Sequence, residues 1–162
     1  MTEPEGLLEA ASSVLLIDWP SRDVPDTLVR AGYTVIVKSG PGPEDYSAQE
    51  LRDGLVVARK LDRAPGQVDL VYAHRPFEEL ARIVVLANEL GAKAVWRQSG
   101  FSSAETRDPN GCWVTAEDSR QARSLVESAN LAYVEDIYIA DAVRELRAAE
   151  AIVSVEDHSE PR

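Results

Sequence analysis

The sequence predicts an α/β domain: a doubly wound, mainly parallel sheet of about five to six strands with helices on both faces. Three observations carry this prediction. Short apolar segments of strand length recur along the chain, amphipathic segments of helical spacing alternate with them, and glycines stand where those helices should stop. Strands buried on both faces read as continuous apolar runs, as these do.

Taken in order, Val14-Leu15-Leu16-Ile17 is the first strand and YTVIV (33–37) the second. Residues 24–31 between them form a short helix, closed by Gly32, because glycine takes the left-handed position past a helix end without steric cost. KSGPGPE (38–44) is a turn-dense loop. Residues 47–53 suit a short helix, and 55–61 a strand that Arg59 and Lys60 interrupt. VDLVYA (68–73) is a buried parallel strand. Pro76 opens a helix whose buried face is Phe77, Leu80, Ala81, Val84 and Ala87 and which Gly91 closes. AKAVW (92–96) follows as a strand whose alternation buries Trp96. Residues 99–114 leave the core around an Asp108-Pro109-Asn110-Gly111 turn. Thr115 caps the next helix with Asp118 three residues on, and Ala122, Leu125, Val126 and Ala129 mark its buried face. LAYVEDIYI (131–139) is the last strand and 140–151 a closing helix. The expected organisation is an N-terminal segment at 1–12, one domain at 13–151, and a disordered charged tail at 152–162.

Composition narrows the partners. The formal charge of -11 and the lack of any Lys/Arg run disfavour nucleic acid and anionic membranes. No apolar run approaches the roughly 18–20 residues that cross a bilayer, and MTEPEGLLEA is acidic where a secretory signal is basic, so a cytoplasmic protein is expected. The single cysteine, Cys112, has no partner for an internal disulfide.

In a parallel sheet of this kind, ligands bind beyond the carboxyl ends of the strands, where the strand order reverses. The residues just past those ends include Pro20, Ser21, Arg22, Lys38, Arg75, Arg97 and Gln98. Arginine grips phosphate with two parallel hydrogen bonds and lysine adds a point charge, so this rim suits a small phosphorylated ligand. The plainer role for the same residues is to solvate the sheet edge and pair with nearby acids. Catalytic machinery is sparse: His74 lacks an evident nucleophile or base partner, and neither a metal-ligand spacing nor GxGxxG occurs. No catalytic residue and no metal site are assigned. Trp19, Trp96 and Trp113 can stack on an aromatic ligand or pack in the core or at an interface, and a homo-oligomer is one form such packing takes.

VYAHRPFEE (71–79) and GAKAVWRQSG (91–100), a helix apart, carry a resemblance. They are similar to the V-x-x-F-R-R-P-E-x and G-A-K-x-x-W-x-Q-x-G patterns of the stand-alone CoA-binding domain family, relatives of the CoA-binding domain of succinyl-CoA ligase. Arg75, Pro76, Gly91, Ala92, Lys93, Trp96, Gln98 and Gly100 fall on those patterns. Coarser similarity runs from Val14 to Ile139, with AGYTVI (31–36) like the family's H-G-Y-x-V-I and Val134-Glu135-Asp136 like its V-M-D.

The resemblance implies a Rossmann-like fold at 13–151 that binds coenzyme A or an acyl-CoA, with no reaction attached. Pro20, Ser21 and Arg22 answer to the family's P-x-R-x-S. The chain departs from the family where the first strand usually ends in V-G-x-S, for Ile17-Asp18-Trp19 stands there, and a carboxylate in that turn repels a diphosphate. Tyr138 replaces the family's cysteine after V-M-D-R, and Lys38-Ser39 replaces its N-P. Two functional readings follow: a small non-catalytic CoA- or acyl-CoA-binding protein, or a regulatory or protein-interaction domain that keeps the fold with an altered ligand site. An enzyme acting on an acyl-CoA ranks behind both for want of an acid-base pair.

Overall fold

A computed structural model of the chain describes residues 2–42, 45–98 and 115–158. In chain order the elements are α1 (Glu3–Ala10), β1 (Ser13–Ile17), α2 (Asp23–Arg30), β2 (Thr34–Lys38), β3 (Tyr46–Arg52), β4 (Leu55–Lys60) and β5 (Leu70–Ala73). A single 3-10 turn (Phe77–Glu79) leads into α3 (Leu80–Glu89), and β6 (Ala94–Arg97), α4 (Ala116–Ser128), β7 (Ala132–Glu135) and α5 (Ile139–His158) complete the chain. One sheet contains all seven of these strands in the order β4-β3-β2-β1-β5-β6-β7. β2, β1, β5, β6 and β7 run parallel, while β3 and β4 are antiparallel additions at one edge. The α/β, mostly parallel architecture is the one the sequence predicts, with more strands than expected.

Alternation along β1 divides the core. Val14 and Leu16 face a layer formed with Val24 and Leu28 of α2 and with Ile139, Val143 and Leu146 of α5. Leu15 faces the opposite layer, with Leu80, Ile83, Val84 and Ala87 of α3 and Ala122 and Val126 of α4. Both faces of the sheet are therefore covered, which is why the central strands read as unbroken apolar runs. Gly32 and Gly91 take the left-handed conformation that ends α2 and α3, at φ 99° and 68°. Thr115 caps α4 by accepting the Asp118 N–H at 3.0 Å.

Several elements differ from expectation. Residues 47–53 form most of β3, not a helix, because Asp53 and Gly54 both have positive φ, 51° and 81°, and make a two-residue hairpin turn pairing Arg52 with Leu55. That turn outweighs the helical propensity of Gln49, Glu50, Leu51 and Arg52. The last strand is only Ala132–Glu135, and α5 already begins at Ile139. The 1–12 segment contains α1, with Thr2 and Glu5 forming a reciprocal cap. Helix α5 runs on to His158, into the stretch expected as a tail, and the excursion at 99–114 lies outside the described residues. No helix among the described residues is long and apolar enough to cross a membrane.

Asp69 pins the start of β5 to the start of β1. Its carboxylate accepts from the Ser12 and Ser13 N–H groups at 2.7 and 3.0 Å, and its own N–H donates to the Ser13 hydroxyl at 3.0 Å. These hydrogen bonds hold its carboxyl below the ordinary value of 3.8 against the opposing effect of burial. Asp69→Ala is expected to lower the unfolding free energy by about 1–3 kcal/mol, because two main-chain donors lose a charged acceptor. The sign with pH follows from the depressed value: the contribution is full above the ordinary carboxylate range and drains as pH falls through the folded value. Acid titration of wild type and Asp69→Asn checks this; an identical acid midpoint in the two would refute it.

Candidate functional site

The chain moves outward from β1 through β2, β3 and β4, then returns to place β5 on the other side of β1. The strand order thus reverses at β1, and ligands in open α/β sheets occupy the crevice at such a point. A cavity of about 750 Å³ opens there, in the size range of sites for small ligands. Its walls come from Ile17, Asp18 and Trp19 past β1, and from Lys38 to Pro41 past β2. Arg75 and Glu79 close the β5 side, and Arg82, Ile83 and Leu86 of α3 form the flank.

Asp18 stands at the turn out of β1 with φ 63°, a conformation that glycine takes freely and aspartate tolerates better than most residues. Its carboxylate accepts from the Trp19 N–H at 2.8 Å and from Arg75 Nη1 at 3.1 Å. Arg75 is also held by Glu79, to which its Nε donates at 2.5 Å. Glu79 takes a further contact from Arg82 at 3.4 Å. The cavity wall therefore carries a chain of alternating charges, Asp18, Arg75, Glu79 and Arg82. Arg75 lies in the extended link between β5 and the 3-10 turn, and Glu79 and Arg82 follow it at the entry to α3.

The loop past β2 is folded around a carboxylate as well. Asp45 accepts from the Gly42 N–H at 2.7 Å, while the Ser39 N–H donates to the Asp45 carbonyl at 2.8 Å. A Cβ at Gly40 or Gly42 would lie 2.6 or 2.8 Å from the Asp45 carboxylate, so these two glycines make room for it. Lys38 Nζ donates to the Gly42 carbonyl at 3.3 Å and lies 4.7 Å from the centre of the Tyr46 ring. No described carboxylate forms an ion pair with it.

A third carboxylate sits at the start of α2, where helix N–H groups favour an anion. Asp23 receives both arms of Arg144, at 2.9 and 3.1 Å, together with the Tyr138 hydroxyl at 2.8 Å. Arg144 holds the Asp23 carboxyl below its ordinary value, against the opposing pull of desolvation. Tyr138 thus serves as a donor to an internal anion.

Of the residues read from the sequence as cofactor-binding, the cavity gathers Lys38 and Arg75. Pro20, Ser21 and Arg22 lie on the turn into α2: Ser21 contacts the Tyr138 hydroxyl at 3.3 Å, and Arg22 donates to Asp26 and Gln49 at 3.1 and 3.2 Å. Arg97 and Gln98 are buried, at 1% and 0% exposure, and so lie beneath the rim. Arg97 faces Glu135 at 3.6 Å and the Phe77 ring at 5.8 Å. Gln98 accepts from the Tyr72 hydroxyl. Trp96 is wholly buried, as its alternation predicts, and donates to the Ile137 carbonyl at 2.7 Å. Glu79 and Arg82 escape a reading of strand ends alone, because they lie beyond the strand end, at the entry to α3. Trp113 and Cys112 lie outside the described residues.

The CoA binding domain family matches residues 17–140, most of the chain and every residue that lines the cavity. The chain belongs to the CoA-binding domain family. Two solved structures share the fold of this CoA-binding domain. One is Prb, described as the PH1109 protein redesigned for binding, at 20% identity and a TM-score of 0.58, covering 90% of this chain and 92% of that one. The other is a protein of Thermus thermophilus, cell-free ID.343, at 22% identity and a TM-score of 0.55, covering 90% and 99%. No curated protein matches the chain in sequence.

His74 lies at the end of β5 beside this domain's cleft, with a buried Nδ1 that has no hydrogen-bond partner among the described residues. Burial lowers its pKa from the ordinary 6.5, and the attraction of Asp18 offsets part of that effect. The unfolded chain therefore binds a proton first as pH falls below about 6.5, and stability declines through that window. His74→Asn is expected to flatten the fall in melting temperature between pH 7.5 and 5.5. Parallel melting curves for the two proteins would contradict this.

Proposed function

We propose that this CoA-binding domain is a small, non-catalytic binder of CoA or an acyl-CoA, its ligand held in the cleft past β1, β2 and β5. The observation that carries the reading is the position of the cavity at the strand-order reversal of a chain in this family. Lys38 is the phosphate contact best placed to act, since no described carboxylate competes for it, and Arg75 is the second. Trp19, half-buried in the wall, offers a flat face to an adenine or acyl group. The non-catalytic part is supported by the cleft carboxylates Asp18 and Glu79, both engaged by Arg75 instead of poised as acid or base.

A second reading has its own support. Asp18 and Asp45 each hold a loop N–H that a phosphate-binding loop would offer to its ligand, and Asp23 fills the start of α2. A domain so neutralised suits a regulatory or protein-interaction role that keeps the fold.

Isothermal calorimetry on the full chain separates the two. The first reading expects sub-millimolar binding of CoA or acetyl-CoA, weakened about tenfold in Lys38→Ala by loss of a charged phosphate contact. Absence of heat with both ligands would sink it and favour the second.

A further inference from the structure

We propose that the Asp18–Arg75 ion pair is an autoinhibitory latch in this cleft, and that a CoA phosphate reaches the Arg75 guanidinium only by displacing the Asp18 carboxylate. The latch presupposes that the cleft is the CoA site and governs one of its two cationic contacts. Strand order places the turn out of β1 between those contacts: Lys38 ends β2 on one side, and Arg75 follows β5 on the other. Ile17 pairs with Ala73, so residue 18 leaves the sheet beside the segment that carries Arg75. The ion pair joins the β1 and β5 walls although its members are 57 residues apart in the chain.

Both oxygens of Asp18 are committed. Oδ1 accepts from the Trp19 N–H at 2.8 Å, which holds the carboxylate over its own turn, and Oδ2 accepts from Arg75 Nη1 at 3.1 Å. Arginine grips phosphate best with two N–H groups at once, from Nε with Nη2 or from Nη1 with Nη2. Glu79 occupies Nε at 2.5 Å, which leaves the Nη1–Nη2 edge for a ligand, and Asp18 stands at Nη1. A phosphate oxygen arriving there meets a carboxylate already on the same nitrogen, and one of the two anions must withdraw. Asp18 is the partner that can be displaced. Glu79 is 28% exposed, is held by Arg82 as well, and lies four residues on from Arg75 in the same segment. Asp18 is 51% exposed, and pairs so open to water are weak enough for a multiply charged ligand to break. Lys38, whose Nζ donates to the Gly42 carbonyl and has no described carboxylate partner, needs no such release.

A double-mutant cycle reads the latch, because removing the Asp18 charge tightens CoA by two routes, less repulsion and a freed Arg75, and only the second needs Arg75. Asparagine tolerates the positive φ at this position, so Asp18→Asn leaves the turn intact. CoA is titrated by calorimetry into wild type, Asp18→Asn, Arg75→Ala and the double variant, with melting curves to confirm that each is folded. Asp18→Asn is expected to tighten CoA about tenfold when Arg75 is present and no more than about threefold when it is absent. Equal gains in the two backgrounds would reduce Asp18 to a repelling charge, and a loss on Asp18→Asn would make it a ligand contact. Either result overturns the latch and leaves the cleft as the CoA site. Absence of binding in all four folded proteins overturns the latch together with the CoA reading beneath it.

Discussion

β1 is bonded on both sides, to β2 from Ser13 to Leu16 and to β5 from Val14 to Ile17, and everything at the cleft depends on that double pairing. Val14, Leu15 and Leu16 are wholly inaccessible, so the strand cannot slip by one residue without moving its side chains to the wrong layers. The ladder continues one step further, with the His74 N–H donating to the Ile17 carbonyl at 3.0 Å. Residue 18 is thus delivered to a fixed place opposite Arg75. The ion pair across the crevice is a consequence of strand register.

The charged groups of the cleft contribute little to holding the fold together. Asp18 is 51% exposed and Arg75 37%, and pairs of that exposure are worth about 0–1 kcal/mol. Their effect is local, because a fixed carboxylate beside a donor changes the field at the crevice even where it adds little stability. The work of holding the chain falls to the two apolar layers and to such buried anchors as Tyr33, whose hydroxyl donates to the Leu8 carbonyl at 2.6 Å and ties α1 to the body.

Much of the fold was legible because the periodicities of its parallel core are strong. The runs at 14–17, 33–37, 68–73 and 92–96 have one interpretation once glycines mark the intervening helix ends. The β3–β4 hairpin was half missed because its strands are polar and short of apolar alternation; the Asp53-Gly54 pair was the signal that could have found it. At the site, sequence placed Lys38 and Arg75 at strand ends but could not tell which way other side chains turn. Arg97 and Gln98 occupy equivalent chain positions, yet Arg97 turns inward to Glu135 and Gln98 meets Tyr72. The internal role of Asp23 depends on Arg144, far along the chain, and such a pairing leaves no local pattern.

The positive φ of Asp18 restricts which residues the β1 turn accepts. A turn built for glycine usually resists replacement, since most side chains strain the left-handed backbone by about 1–2 kcal/mol. Aspartate is one of the few residues that tolerates it, and it is also the one that brings a negative charge to the spot. Conformational permission and chemical alteration therefore coincide at a single position. Exchange of Asp18 for Gly or Asn would remove the charge of the β1 turn while its backbone conformation stays favourable.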